Sequence, residues 1–144
     1  MATTAQFVAA PVIDIAQVGG TGNSNRDGTG PNISLVCSGP TFAATSGIGK
    51  RITRGTIQGI TANSAGVVRF FVSVDGGTNK TLYVEKQVSS TNFALTTPGF
   101  RSDVPELVGL ILPGASGING PLCQLYASTQ VGNTFNIVIE SGTL

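Results

Sequence analysis

The 144-residue chain has no histidine, no tryptophan, only two cysteines and two tyrosines, and only 10% charged residues. Without histidine there is no Ser-His-Asp or Cys-His nucleophilic system and no His-ligated metal site. Two cysteines without histidine exclude a structural zinc site as well. Net charge is +1 with no run of like charges, so the phosphate-neutralising surface of a nucleic-acid binder is missing. The densest basic cluster, Lys50, Arg51 and Arg54, reads as the solvated edge of a strand. The longest apolar segment, Leu107 to Leu112, falls far below the ~18 residues needed to cross a bilayer. No export signal is legible: the first 17 residues hold no Lys or Arg, and Pro11 and Asp14 interrupt the apolar stretch there. The expectation is a protein made soluble in a cytoplasm, with neither membrane nor nucleic acid as partner. On that expectation the sequons Asn32-Ile33-Ser34 and Asn79-Lys80-Thr81 carry no information.

What the chain does contain is 40% hydrophobic residues and 20 glycines. A chain of this size buries roughly two thirds of its extended surface on folding, so a core needs no staples. The composition points to one compact all-β domain rich in Gly, Thr and Ser. Cys37 and Cys123 fit no metal-ligand spacing. They read either as two buried reduced thiols or as a disulfide that closes after the protein leaves a reducing compartment.

Along the chain, residues 1–31 divide into a mildly apolar start, QFVAAPVIDIAQV, and a spacer, GGTGNSNRDGTGP, whose turn-formers are expected neither to pack nor to hold a helix. Two readings stand: an extended N-terminal arm with a Gly-rich linker that reaches a neighbour, or a first strand near Val12 to Ile15 followed by a long loop. On the arm reading, deleting residues 1–30 leaves a folded domain over 32–144. That domain shows seven candidate strands, NISLVC, KRITRGTIQGIT, GVVRFFVSV, TLYVEKQV, ELVGLIL, PLCQLYAS and NTFNIVIE, separated by Gly, Pro, Asn and Ser clusters.

Alternation sets Val68, Phe70, Val72 and Val74 against Arg69 and Ser73, the mark of a half-buried strand. It also sets Leu82, Val84 and Val88 against Tyr83, Glu85 and Gln87, and Phe135, Ile137 and Ile139 against Asn136 and Glu140. In KRITRGTIQGIT the phase slips between Ile52 and Ile57, which makes Gly55 a candidate bulge where the strand bends at a sheet corner. ELVGLIL, apolar on both faces, reads as a central strand covered twice. Many short strands without helical periods predict an antiparallel β-sandwich of jelly-roll type.

Chemistry is hard to find in this pattern. Seven carboxylates remain, Asp14, Asp27, Asp75, Glu85, Asp103, Glu106 and Glu140, with few aromatic platforms to form a sugar cleft beside a pair of them. Asp27 sits in an oxygen-rich, Gly-rich segment but lacks the spacing of a calcium loop. GPTFAATSGIGKR fails as a phosphate loop, because Ala44 and Arg51 stand where glycine and a hydroxyl are needed. Asp75-Gly76-Gly77 supplies the positive-φ residues of a hairpin turn, read as three to five loop residues, so Asp75 is a corner rather than a site.

The stretches RITRGTIQGI, AGVVRFFVSVDGG, VEKQV and the closing LYASTQVGNTFNIVIESGTL together resemble a recurrent type of small structural protein of tailed bacteriophages. The resemblance covers about the last two thirds of the chain and not the first 40 residues. It implies a β-sandwich that binds a virion surface as a capsid decoration (cement) protein, with a neck, tail or baseplate accessory protein as the alternative. It brings no catalytic residues and no cofactor, and implies a non-enzymatic virion component made in the host cytoplasm. Its partners would be the major capsid protein, other virion proteins, or sister copies in a homo-oligomer, with trimers suggested by family analogy. The expected partner contacts are Phe7, Val12 and Ile13. An alternative of another class is a carbohydrate-binding module using Phe42, Phe93 and Phe100, which otherwise read as core-capping aromatics.

Overall fold

Strand, turn and loop account for nearly all of the computed structural model, which describes residues 9–40, 49–115 and 120–144. The strands are β1 (Ala9–Val18), β2 (Ser34–Ser38), β3 (Gly49–Gly59), β4 (Gly66–Ser73), β5 (Thr81–Val88), β6 (Arg101–Asp103), β7 (Ile111–Pro113), β8 (Gln124–Thr129) and β9 (Phe135–Thr143). The first sheet has the order β1-β9-β3-β6, with β7 also on β3, and the second β2-β8-β4-β5. Every pairing is antiparallel. The inner faces meet in one core, to which the first sheet gives Ile52, Ile57, Ile137 and Ile139 and the second Phe70 and Leu125. The chain is a β-sandwich.

Period-2 alternation produces these layers. In β9, Phe135, Ile137 and Ile139 are fully buried while Asn136, Val138 and Glu140 face outward, half-buried. In β4, Val68 and Phe70 enter the core and Val72 packs against it, whereas Val74 lies past the strand end and is 71% exposed. The opposite face of β4 departs from the half-buried expectation. Arg69, Phe71 and Ser73 are buried too, because other parts of the chain cover the outside of the second sheet.

The Gly-rich spacer supplies much of that cover. It leaves β1 at Val18, lies across β8, β4 and β5, and returns to β2 at Ser34. Asn23, 2% exposed, organises it: Nδ2 donates to the carbonyls of Thr29 (3.1 Å) and Pro31 (2.9 Å), and Oδ1 accepts from the amide of Asn25. The Asn23 amide donates to the Thr129 carbonyl, and its carbonyl accepts from Arg69 Nη1 at 3.0 Å. Glu85 Oε1 then accepts from both Arg69 Nε (2.8 Å) and Arg26 Nε (2.7 Å), tying spacer to sheet. Gly28, at φ +79°, sits so close to the backbone of Lys80 that no side chain fits. The spacer was expected not to pack, and it does pack: its turn-formers bury few side chains but satisfy one another's backbone groups.

Three local readings also shift. The bulge of β3 falls at Thr53, where Ile52 pairs with Ser141 and Arg54 with Glu140, while Gly55 is the bare spot on which Leu107 rests. A second bulge at Tyr83 lets Phe70 pair with Val84 and Phe71 with Leu82, so Leu82 joins the outer row rather than the core row of Val84. ELVGLIL is not a central strand. Pro105 begins a 3-10 turn over Pro105–Leu107, Gly109 takes φ +89°, and only Ile111–Pro113 pairs, at the edge of β3. The segment buries Leu107 and Leu112 and leaves Val108 and Ile111 about half exposed, a plug rather than a strand.

The β4–β5 connection spans residues 74–80, longer than three to five. Asp75 organises it as a corner: its carboxylate accepts from the Asn79 amide, from Asn79 Nδ2 and from the Ser73 hydroxyl, and Gly76 and Gly77 take φ +75° and +94°. These donors hold the Asp75 carboxyl down at about 2.

Two outcomes follow from these contacts. Asn23→Ala strips two carbonyls and an amide of their partners, and is expected to cost about 1–3 kcal/mol in urea unfolding. The carboxyls of Asp27, Asp75, Glu85 and Asp103 are all lowered, by hydrogen bonds from Thr29, Asn79, Arg26 and Thr56 respectively before all other causes. A folded pKa below the unfolded one gives stability that is complete above the ordinary values of 3.8 and 4.5. That stability is lost as pH falls toward about 2. With no histidine present, the unfolding midpoint should stay flat between about pH 5 and 8 and drop below about pH 4, as read by thermal melts across a pH series.

Candidate docking surface

Of the residues expected to contact a partner, Val12 and Ile13 lie on β1, an edge strand of the first sheet. Phe7 lies outside the described residues. Alternation turns Ile13, Ile15 and Gln17 to the outer face, beside Glu140, Val138 and Asn136 of β9, and turns Asp14, Ala16 and Val18 inward. Ile13 is 64% and Ile15 66% exposed, and Val12 at the rim is 39% exposed. Ile15 was not singled out from the sequence, although a strand over Val12 to Ile15 already places it on the face of Ile13.

An edge strand normally offers its backbone for pairing, and β1 restricts that offer along its length. Pro11, without an N–H, lies in a register irregularity between Ala9 and Val12. Asp14 points inward, where its Oδ2 accepts from Lys50 Nζ at 3.0 Å and from Cys37 Sγ at 3.3 Å. The Gln17 carbonyl accepts from the Ser34 hydroxyl. What β1 presents is therefore a side-chain face.

That face continues across the sheet into a shallow depression of about 230 Å³ among Arg54, Gln58, Arg101, Asn136, Val138 and Glu140. Arg54 Nη2 reaches Asp103 Oδ1 at 3.4 Å, and the Thr56 hydroxyl donates to the same oxygen at 3.1 Å. The surface is an apolar margin at β1 beside a field of planar hydrogen-bonding groups. The basic cluster behaves differently from a solvated edge: Lys50 is turned inward and its side chain is 13% exposed, while Arg54 faces out on an interior strand.

The other candidates resolve into structural roles. Asp27 Oδ1 accepts from the amide and hydroxyl of Thr29, closing a spacer turn. Asp14, Asp75, Glu85 and Asp103 each hold the local contacts given above. Among the described residues, no three of His, Cys, Asp and Glu gather as a metal-holding group. Cys37 and Cys123 are buried and free, with burial pushing the Cys37 thiol up to about 12 and the Cys123 thiol upward. Phe100 caps the core edge-on to Phe135, at 6.4 Å between ring centroids, whereas Phe93 is 51% exposed. Phe42, and most of the segment read against a phosphate loop, lie outside the described residues.

No family model and no curated protein matches the chain. Solved structures similar to it include the infectious bursal disease virus VP2 subviral particle, with 15% identity over 99% of this chain and a TM-score of 0.38. A T13 viral particle of the same virus has 12% identity over 99% of this chain and a TM-score of 0.36. The chain spans about a third of the length of these proteins, 35% of the first and 34% of the second.

Proposed function

We propose that the chain is a non-enzymatic structural protein of a virion, a capsid decoration (cement) protein that docks on a phage head through the outer face of its first sheet. The observation that carries this is the exposed pair Ile13 and Ile15 on an edge strand whose backbone edge is encumbered. Two large aliphatic residues standing together beside a hydrogen-bonding field have the character of a contact surface: an apolar centre with a polar surround. Val12 extends the apolar margin at the rim.

Strand order supports the reading. With β7 set aside as part of a connection, the sheets run first-ninth-third-sixth and second-eighth-fourth-fifth. We read that order as of jelly-roll type, an architecture used by virus shells and also by lectins. The fold thus leaves open both the virion and the carbohydrate reading, and the resemblance of the strand segments to phage structural proteins favours the first. Copy number separates decoration from the neck, tail or baseplate alternative: a cement protein covers the shell and an accessory protein sits at one vertex.

Deleting residues 1–30 is not an informative test, because it removes β1 from β9 and the spacer from Arg69. The informative variant is the double substitution Ile13→Lys, Ile15→Lys. Both side chains are exposed, so stability should change by less than about 0.5 kcal/mol per site. Each buried isoleucine contributes about 1.5–3 kcal/mol, so binding to particles from the source, read by co-sedimentation, should weaken at least about tenfold. Unchanged binding by the folded double variant would sink the assignment of this face.

A further inference from the structure

The registers of β1, β9, β3 and β6 arrange the outer face of the first sheet in rows that run across the strands. Ile15, Val138, Thr56 and Asp103 form the middle row. Ile13, Glu140 and Arg54 form the row on one side of it, and Gln17, Asn136, Gln58 and Arg101 the row on the other. Val138 and Thr56 are short and their flanking neighbours long, so the middle row is sunk between two taller ones. That difference in length makes the depression of about 230 Å³.

The charges on this face are incompletely paired. Arg54 stands opposite Glu140, yet its Nη2 goes to Asp103 at 3.4 Å. Glu140 is half-buried and Arg101 exposed, and among the described residues neither forms an ion pair. Arg101 acts on Asp103 only at longer range. Two arginines and two carboxylates leave the group neutral, so neither an acidic nor a basic partner is favoured as a whole. What satisfies Glu140 and Arg101 together is a surface that carries the same two charges in reversed order.

The face itself is such a surface. Glu140 and Arg101 are two strands apart, about 10 Å, and four residues apart along the strands, about 13 Å, with Thr56 at the midpoint. A two-fold axis in the interface plane, through Thr56 and perpendicular to that diagonal, exchanges the two positions. It sets Glu140 of each copy against Arg101 of the other, and brings Arg54 of each over Asp103 of the other. The strands of the two copies then cross at about 70°, near the orthogonal mode of sheet packing. The strands of this sheet, of 10, 9, 11, 3 and 3 residues, present about 600 Å² of projected face per copy at ordinary spacings. Two copies bury about 1,200 Å², the lower end of specific interfaces.

We infer that the free protein forms a two-fold dimer through this face, with Glu140 and Arg101 as reciprocal contacts. The contact is isologous, so it closes at two copies. The inference does not rest on the virion reading; a particle that takes the same face displaces the second copy.

The test is sedimentation equilibrium of the full chain, free of particles. The native chain should dimerise reversibly, and more weakly as salt is added. Glu140→Arg alone and Arg101→Glu alone each place like charges at both contacts and should weaken the dimer at least about tenfold. An equimolar mixture of the two variants restores opposite charges at both contacts and should recover native affinity as a mixed dimer. Neither residue has an ion-pair partner in its own chain, so melting temperatures should hold. Glu140→Gln, which adds no charge, should weaken the dimer as well and serves where Glu140→Arg melts early. A monomeric native chain, variants that associate as the native chain does, or a mixture no tighter than its components overturns the inference. Unchanged particle binding by the Ile13→Lys, Ile15→Lys variant, alongside this charge-dependent dimer, would fault the docking reading and leave the dimer standing.

Discussion

A guanidinium on the outside of a sheet has to be either solvated or partnered, and in this protein Arg69 is partnered. Its side chain is 4% exposed, with Glu85 on one side and the Asn23 carbonyl on the other. A buried cation left without these partners would be strongly unfavourable, so the position of the spacer is tied to that of β4 and β5. Because the spacer is held, β1 and β2 are held at its two ends, one in each sheet. The outer row of β4, Arg69, Phe71 and Ser73, is thereby covered by the chain itself, whereas Ile13 and Ile15 on the outer face of the first sheet are exposed.

The core faces of the two sheets, unlike that asymmetry, were legible in the sequence. Alternation in GVVRFF and FNIVIE identified two strands and their core faces, since one apolar residue in two leaves little choice of face. Where the reading went astray, a single extra residue or a tertiary contact overrode the pattern. Thr53 and Tyr83 each insert one residue, and an insertion of one reverses the period-2 phase beyond it. The plug around Leu107 mimics a doubly covered strand because both present a continuous apolar run, and only Pro105 and the positive φ of Gly109 distinguish them.

The spacer shows the opposite error. Polar turn-formers were read as free of the fold, yet Asn23 is among the most buried polar residues described. Composition reports how much apolar surface a segment can bury, not whether its amides and carbonyls close on one another. Asn-x-Asn and Asp-x-Thr pairings are the local signal that was there to read. The exposed face proposed for docking was half legible as a surface: Val12 and Ile13 stand out by hydrophobicity, while Ile15 and the row of Arg54, Gln58 and Asn136 needed the register of β1, β9 and β3.

The treatment of the β1 edge bears on how such a chain can associate at all. Open edges favour strand-to-strand addition, which has no inherent stopping point. Here Pro11 removes a donor, the inward Asp14 is held by Lys50, and Ser34 occupies a carbonyl, so side chains rather than backbone are left to make contacts. Side-chain surfaces are specific in shape and finite in extent. A contact at the exposed Ile13–Ile15 margin is bounded by the shape of that margin, whereas strand addition at a bare edge presents a fresh edge each time.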